Sequence, residues 1–541
     1  MNLTRRFLIV LILARMALTM NAAPPKLIVA ILIDQMRYDY LERFQEQFTT
    51  NGFRLFLDRG VFMTFAHYNY LPTVTGPGHA SFLSGATPMM HGIIANDWYD
   101  RKSGREVYCA EDQSVDGIGA MPGKARMSPR NFVGNTFADE LRLRYGSSKV
   151  VGVSMKDRGA VLPAGKKPKG AFWFHSSNGN FVTSTYYMRE LPPWVKAFNE
   201  RKRAASFVDQ KWDRLLEEKY YLNPDDHEGE GHMPEEKKPV FPHKIAPSKE
   251  NYDNVISSPF GNQILSEFAE AAIAGEKLGE GPGPDLLSIS FSSVDYVGHR
   301  FGPYSQEVQD VVLRLDRQLN SFFAYLNTRF GLENVMITLT ADHAVAPTIE
   351  FAKDQGLNAE GFDETAWIGD LKTRLNEEFG AGRYIIASKV FSGNLYLDHA
   401  VMDRKKVRAE DVVSFIRETA LVSGKYQAVF SREQLLDGHA PGPLGQLATY
   451  GYNAERGGDL VLLPKPYIVP GAGKTGTTHG SGYTYDTHVP ILFYGSAFKP
   501  GRYAIPCGIT DIVPTLCISL QMNEPSGSMG KPLLEILTGG K

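Results

Sequence analysis

Several nearly continuous apolar runs of strand length dominate this sequence, and amphipathic helical stretches lie between them. The clearest helical stretch is Glu307–Phe330, in which apolar residues recur on one side. Continuous apolarity is typical of parallel strands that are buried on both faces. The alternation of strand and helix therefore predicts an α/β fold with a mostly parallel central sheet and helices on both faces. The predicted strands are Lys26–Ile33, Val150–Ser154, Asp285–Ser292, Asn334–Thr340, Asp459–Leu463 and Val489–Phe493.

Three segments interrupt this pattern and predict how the chain is divided. Residues 1–23 are expected to be a signal peptide, and residues 24–541 a single catalytic domain with insertions at about 165–284 and 345–455. The second insertion is expected to form a cap. The stretch Asn223–Asn254 is polar, charged and rich in proline, which is typical of a long surface loop. Its histidines, His227, His232 and His243, are therefore expected to be solvated rather than metal ligands.

The N-terminus has the pattern of a secretory signal. Arg5 and Arg6 precede an apolar run, and Asn21-Ala22-Ala23 resembles a cleavage zone, with the cut after Ala22 or Ala23. A membrane anchor is the alternative, but the run is short and Arg15 interrupts it. These features predict a periplasmic or secreted protein with no stable membrane anchor.

Composition limits the partners and the types of metal site that we expect for this chain. The chain of 541 residues is 43% hydrophobic, and its formal net charge of -2 gives no indication of a nucleic-acid partner. The three cysteines, Cys109, Cys507 and Cys517, form no CxxC motif, so a thiolate zinc site is not expected. Their pairing state stays open. Any metal is expected to be held by aspartate and histidine.

Aspartate and histidine residues follow several of the predicted strands. Since ligands gather at the carboxyl ends of strands in an open α/β sheet, one fold assumption brings these side chains to one edge. Any one of them alone is more simply a turn former, but the set favours two metal ions with three protein ligands each. Ligand type alone allows zinc, manganese or iron. The candidate ligands are Asp34, Asp295, His299, Asp342, His343 and His479.

Thr75 is the candidate nucleophile. It precedes Gly76-Pro77-Gly78-His79, which resembles a tight turn that enters a helix, and a helix start presents free N–H groups to a phosphate. A metal ion can stabilise the alkoxide of a threonine. The alternative is that Thr73 or Thr75 only caps this helix. His79 is expected to be structural.

Two cations and an amide complete the candidate site. Lys156 and Arg158 are two residues apart, so that they share a face of an extended segment. Two cations favour the dianion of a phosphate monoester over a diester. A surface ion pair that involves Asp157 is the alternative. Asn96 could donate to a further phosphate oxygen.

In their order and chemistry, these motifs resemble the alkaline phosphatase superfamily, in its phosphodiesterase/nucleotide-pyrophosphatase-like branch, and especially the bacterial threonine-dependent alkaline phosphatases of the PafA type. The resemblance implies an alkaline-phosphatase-like fold, two Zn²⁺ per chain and a phospho-threonine intermediate at Thr75. It assigns Asn96, Lys156 and Arg158 to the phosphoryl oxygens. It also implies two ligand sets: Asp34, Asp342, His343 and the Thr75 oxygen for one zinc, and Asp295, His299 and His479 for the other. His488 is the competitor of His479.

The expected activity is therefore hydrolysis of small-molecule phosphate monoesters by an exported alkaline phosphatase. The first alternative is a phosphodiesterase or nucleotide pyrophosphatase that uses the same site. The second is an exported metal-binding protein that no longer reacts, although the presence of Thr75 weighs against it. The physiological substrate and the oligomeric state are not readable from the sequence.

Overall fold

The computed structural model describes residues 24–248, 251–389, 392–471 and 475–538. The predicted signal peptide lies outside the described residues. Among the residues that are described, no helix combines the length and apolarity needed to span a membrane. Cys109, Cys507 and Cys517 are all free thiols.

A central sheet of ten strands forms the middle of the molecule, in the order β20-β2-β19-β12-β1-β11-β6-β7-β8-β5. Helices flank the sheet, which confirms the predicted α/β class. Its strands are β1 (Leu27–Ile33), β2 (Val61–Met63), β5 (Gly117–Ile118), β6 (Val150–Ser154), β7 (Gly170–His175), β8 (Asn180–Ser184), β11 (Asp285–Phe291), β12 (Val335–Thr340), β19 (Ile491–Tyr494) and β20 (Gly501–Tyr503). The remaining short strands are β3 (Asp97–Asp100), β4 (Arg105–Tyr108), β9 (Lys211–Trp212), β10 (His243–Lys244), β13 (Glu360–Phe362) and β18 (Ile468–Pro470).

The middle of the central sheet is parallel. Strand β1 lies between β11 and β12, and β6 and β7 continue the parallel order beyond β11. All seven residues of β1 are buried, as a strand covered on both faces requires. The outer strands β19 and β8 pair antiparallel with β12 and β7. Since the last predicted strand became β19, its predicted parallel direction is wrong.

A second sheet of four antiparallel strands lies between β12 and β19 in the chain. It has the order β14-β15-β17-β16 and a separate apolar core. Its strands are β14 (Ile385–Lys389), β15 (Asn394–Leu397), β16 (Tyr426–Ser431) and β17 (Leu460–Pro464). The run Asp459–Leu463 therefore forms a strand as predicted, but of this sheet and not of the parallel one.

Helices cover the sheets, and the longest is Gln306–Phe330, which packs against Pro259–Glu276. The other helices are Asp39–Arg43, Arg54–Arg59, Thr75–Phe82, Pro88–His91, Phe137–Arg144, Asp157–Val161, Pro193–Glu200, Asp253–Ile256, Ser293–Phe301, Ile349–Asp354, Glu364–Phe379, His399–Lys405, Ala409–Val422, Arg432–Leu436, Gly442–Gly451, Thr484–Thr487 and Ile512–Ser519.

His243 is buried, so its expected solvation is wrong. Its Nδ1 lies 2.9 Å from Glu236 Oε2, and its Nε2 lies 3.0 Å from Glu307 Oε1. Burial lowers the pKa of His243, but hydrogen bonds to the two carboxylates outweigh this and raise it to about 9. The contacts with Glu236 and Glu307 offset the cost of burying His243. The polar composition of the surrounding sequence does not reveal this pairing.

This ion cluster makes stability depend on pH. Because the folded pKa lies above the unfolded value of 6.5, protonation of His243 stabilises the fold fully below pH 6.5, and this contribution is lost as pH rises through about 9. We expect the free energy of unfolding to fall by up to roughly 3 kcal/mol from this group. Glu236→Gln is expected to flatten the decline, measured by urea unfolding at pH 7 and 9.5. An unchanged slope would contradict the assignment.

Candidate metal centre and active site

Five of the predicted ligands meet at the carboxyl edge of the parallel strands. Asp34 follows β1, Asp342 and His343 follow β12, and Asp295 lies in the helix that follows β11. Since β1 is hydrogen-bonded to both neighbours, the three strand ends are adjacent. Two groups offer ligand atoms within 4.8 Å of one another: Asp34, Asp342 and His343 in one, and Asp295, His343 and His479 in the other. His343 thus lies between the two groups.

His299 belongs to the same edge, although it is one of the more exposed members. It is on the helix Ser293–Phe301, four residues after Asp295, and its Nε2 lies 3.2 Å from Asp295 Oδ1. Burial lowers the pKa of His299, but the charge of Asp295, the hydrogen bond to Asp295 and the hydrogen bond to the Thr477 carbonyl together outweigh burial and raise the pKa. His488 lies elsewhere, with its ring stacked on Tyr38 and its Nε2 3.2 Å from the carbonyl of Thr64.

Each of the three clustered histidines has its Nδ1 against a backbone carbonyl. The distances are 2.8 Å from His299 to Thr477, 2.9 Å from His343 to Ala344 and 2.7 Å from His479 to Thr73. A carbonyl only accepts hydrogen bonds, so the proton is on Nδ1 and the lone pair of Nε2 faces the cluster. This arrangement is typical of metal-ligating histidines, whose second nitrogen donates to a carbonyl or carboxylate.

The cluster contains buried polar atoms without hydrogen-bond partners. Within the described part of the chain, these include both carboxylate oxygens of Asp34, Asp342 Oδ2 and His343 Nε2, although Asp34 Oδ2 forms an ion pair with Lys156. Burial, followed by the charge of Asp34, raises the pKa of Asp342 well above its usual range. Lys156 supplies only one positive charge to three buried carboxylates, so the cluster needs a further cation, and nitrogen and carboxylate donors in this number suit zinc. The residues therefore fit a metal centre.

Lys156 lies inside this cluster. Its Nζ is 2.5 Å from Asp34 Oδ2 and 2.6 Å from Asp295 Oδ2, and the side chain is 6% exposed. Burial lowers the pKa of Lys156, but the two carboxylates outweigh it and the pKa is raised. The lysine is thus a buried cation at the junction of the two ligand groups, and the surface ion pair considered as an alternative is not formed.

Arg158 is held by a phenol that the sequence did not single out. Its Nη1 donates to Tyr108 Oη at 3.0 Å, and Tyr108 donates to Asp157 Oδ1 at 2.5 Å. Arg158 Nε is buried and has no partner among the described residues. The Asp157 carboxylate is thus linked to the Arg158 guanidinium through Tyr108. It also accepts a hydrogen bond directly from the backbone N–H of Arg158. No motif marked Tyr108, which lies at the end of the short strand β4.

Thr75 is the first residue of the helix Thr75–Phe82, and Val74 is the residue before it. Val74 offers no side-chain cap, and Thr73 Oγ1 donates to the carbonyl of Ser481 at 2.8 Å. The capping role considered for the two threonines is therefore absent. Gly76 N–H donates to Asn96 Oδ1 at 2.7 Å, which leaves the Asn96 amide hydrogens available as donors.

His79 has the structural role that was expected. Its Nδ1 lies 2.8 Å from the carbonyl of Thr75 and its Nε2 lies 2.7 Å from Ser290 Oγ. Burial lowers the pKa of His79 to about 4, so the ring is neutral. It ties the Thr75 helix to β11, which carries Ser290.

Gly78 sets the distance between this helix and Asp342. A Cβ at Gly78 would lie 2.5 Å from both Cβ and the carbonyl oxygen of Asp342. We expect Gly78→Ala to lower stability by about 1–3 kcal/mol through overpacking. We also expect kcat to fall by about 10²-fold because the nucleophile helix shifts. Thermal unfolding and steady-state kinetics measure both. Gly146→Ala is the control, since its Cβ would meet no atom within 4 Å; equal behaviour of the two variants would contradict the prediction.

A second overlooked residue, Gln35, follows Asp34 directly. It is completely buried, and its backbone has a φ of 65°, in the left-handed region that few side chains other than glycine adopt. Nothing in its local sequence signals that conformation.

A small cavity of about 50 Å³ adjoins His479. Its wall is more apolar than polar, and four of its leucines are Leu462 and Leu463 from the second sheet and Leu71 and Leu444. The four-stranded sheet therefore contributes directly to the surroundings of the metal ligands.

Comparisons with known proteins find a family model and several phosphatases that are similar to this chain. A family model described as type I phosphodiesterase / nucleotide pyrophosphatase matches residues 28–488. The chain is 38% identical over 524 residues to alkaline phosphatase PafA of Elizabethkingia meningoseptica, covering 96% of this chain and 95% of that protein. It is 35% identical over 531 residues to alkaline phosphatase PhoV of Synechococcus elongatus, covering 96% and 94%. A crystal structure of wild-type alkaline phosphatase PafA aligns with a TM-score of 0.91 at 37% identity, covering 95% of this chain and 99% of that one.

Proposed function

Because the chain belongs to the type I phosphodiesterase/nucleotide pyrophosphatase family and is a hydrolase, we propose that it is an exported alkaline phosphatase that cleaves small phosphate monoesters. Its site is proposed to hold two Zn²⁺ per chain. Asp34, Asp342, His343 and the oxygen of Thr75 bind one ion in this proposal, and Asp295, His299 and His479 bind the other.

The orientation of the three imidazole rings carries the metal assignment. Three separate backbone carbonyls turn three Nε2 atoms toward the same group of buried carboxylates. A structural histidine can be paired with acids of its own, as His243 is with Glu236 and Glu307, whereas here three imidazoles share one group of carboxylates. Convergence of all three is what a pair of metal ions requires.

Lys156 and Arg158 favour a phosphate monoester over a diester as the substrate. A phosphate monoester dianion has three terminal oxygens, and Arg158, Lys156 and the amide of Asn96 supply donors for them. The buried Nε of Arg158 has no partner in the described residues and is free to donate to such an oxygen. A diester carries one charge less and one substituent more, so it would use these donors less well.

The chain's own groups account for the covalent steps. The Thr75 hydroxyl gives its proton to water and its oxygen forms a bond to phosphorus, while the bond from phosphorus to the alcohol oxygen breaks and the leaving oxygen takes up a proton from water. Lys156, Arg158 and Asn96 orient the phosphoryl group for that attack. Water then adds to phosphorus, and the bond to Thr75 breaks to release inorganic phosphate. Bound zinc would supply stabilisation of negative charge on the entering and leaving oxygens.

Metal removal tests the proposal. We expect dialysis against a chelator to abolish hydrolysis of p-nitrophenyl phosphate, and Zn²⁺ to restore it in parallel with uptake of two ions per chain by elemental analysis. The same enzyme is expected to prefer that monoester over bis-p-nitrophenyl phosphate. Preference for the diester would favour the phosphodiesterase alternative. Full activity of metal-free protein would refute the metal-dependent mechanism.

A further inference from the structure

Gln35 connects the two ligand groups. Its backbone N–H donates to Asp342 Oδ1 at 3.1 Å, and its side-chain Nε2 donates to Asp295 Oδ1 at 2.7 Å. Asp342 belongs to one group of candidate ligands and Asp295 to the other. A single residue therefore holds one carboxylate of each group, from a position next to Asp34.

The backbone at Gln35 is strained in order to make these two bonds. A non-glycine residue in the left-handed region costs on the order of 1 kcal/mol or more, and such residues cluster where function over-determines the geometry. At Gln35 the left-handed turn directs the N–H toward Asp342 while the side chain extends toward Asp295. A glycine would adopt the backbone freely but would lack the amide.

The surroundings are shaped to accept this side chain. A Cβ at Gly298 would lie 1.9 Å from Gln35 Oε1, so only glycine fits at that point of the helix that carries Asp295 and His299. Gln35 Oε1 is buried and has no hydrogen-bond partner in the described ranges. The donor end of the amide is used and the acceptor end is not, which indicates that the contact with Asp295 determines the position of this group.

We propose that Gln35 is a positioning residue that fixes the separation and orientation of Asp295 and Asp342, and thereby the spacing of the two zinc ions. The inference rests on the proposed two-metal function. Gln35 does not contact the substrate in this proposal. The Gln35 amide binds Oδ1 of Asp295, which holds the carboxylate and therefore its Oδ2 in one orientation. The Gln35 backbone N–H binds Oδ1 of Asp342 and orients that carboxylate in the same way.

Zinc affinity of metal-stripped protein, measured with a competing chromogenic chelator, tests this role. Gln35→Gly keeps the left-handed backbone and its N–H but removes the amide, and Gln35→Met removes the donor while it keeps the length of the side chain. Both variants are expected to bind the more weakly held zinc about 10-fold to 100-fold less tightly than wild type. The metal-free Gln35→Gly protein is expected to unfold close to the wild-type temperature, because relief of the left-handed strain offsets the lost hydrogen bond to Asp295.

Gln521→Gly is the matched control, since Gln521 is an exposed glutamine with a φ of 51°. It is expected to bind zinc as wild type does. Wild-type zinc affinity in both Gln35 variants would overturn the inference alone, as would an equal loss in the control. Wild-type protein that binds no zinc would refute the proposed function and this inference together.

Discussion

Thr75→Ala is expected to reduce kcat for a phosphate monoester by on the order of 10⁴-fold or more, because it removes the proposed nucleophilic oxygen. Thr75 is the first residue inside its helix and Val74 is the cap position, so no capping interaction is lost with the Thr75 hydroxyl. Its helix stays tied to β11 through His79, which contacts the Thr75 carbonyl rather than its side chain. The unfolding temperature is therefore expected to stay close to wild type, and zinc content is expected to do so because Asp34, Asp342 and His343 remain as ligands of the ion that loses the Thr75 oxygen. Steady-state kinetics and elemental analysis of the same preparation measure both.

Two further variants separate the nucleophile from general effects of a lost hydroxyl. Thr75→Ser keeps an oxygen at the same place and is expected to retain measurable turnover and to form a phospho-serine. Thr183→Ala removes an equally buried hydroxyl that donates to the carbonyl of Ala171. That variant is expected to lose about 1 kcal/mol of stability and no activity. Turnover of Thr75→Ala near the wild-type value would remove Thr75 from the mechanism.

Arg158→Ala is expected to lower kcat/KM for a monoester by about 10²–10³-fold, as removal of one preorganised donor to a developing charge does. A diester of the same leaving group is expected to lose less than about tenfold, since it presents fewer charged oxygens to the guanidinium. Tyr108 accepts a hydrogen bond from the Arg158 guanidinium and holds it in one orientation. The loss in kcat/KM therefore measures an oriented contact with the substrate and not the effect of a mobile charge. The ratio of the two specificity constants is the quantity to measure.

Arg158→Lys adds a sharper comparison, because it keeps the charge but not the forked geometry. We expect it to recover only part of the loss. Arg126→Ala removes a surface arginine that pairs with Asp116 and is expected to change neither constant. An equal loss on monoester and diester in Arg158→Ala would argue that Arg158 serves the structure of the site and not the recognition of a dianion.

The parallel middle of the fold was readable from the sequence because burial on both faces leaves a continuous apolar run. The runs that became β1, β6, β11 and β12 were located to within one residue at each end. The run near Asp459 and the run near Val489 look the same in sequence, yet one became β17 of the second sheet and the other the antiparallel β19. Apolarity reports that a strand is buried, but it does not report which strand lies beside it.

The candidate site was readable to the extent that its chemistry follows strand ends. The spacing could not show that His343 lies between both ligand groups, because that depends on the turn after β12. Gln35 and Tyr108 escaped notice because both act through long-range hydrogen bonds and neither belongs to a residue type typical of metal or phosphate sites. His243 escaped for the opposite reason: its polar neighbourhood in sequence concealed a buried ion cluster.

The pairing of β1 has a consequence for how the protein acquires its metal. Leu27 at the start of β1 pairs with Asp285 and with Val335, so the two neighbours of β1 are synthesised long after it. His479 joins later still. Until those segments have been synthesised and packed against β1, Asp34 is a single carboxylate without the other candidate ligands beside it. In the two-zinc proposal, metal is therefore captured late in maturation, and a chain truncated before residue 479 would leave the ribosome without the complete candidate site.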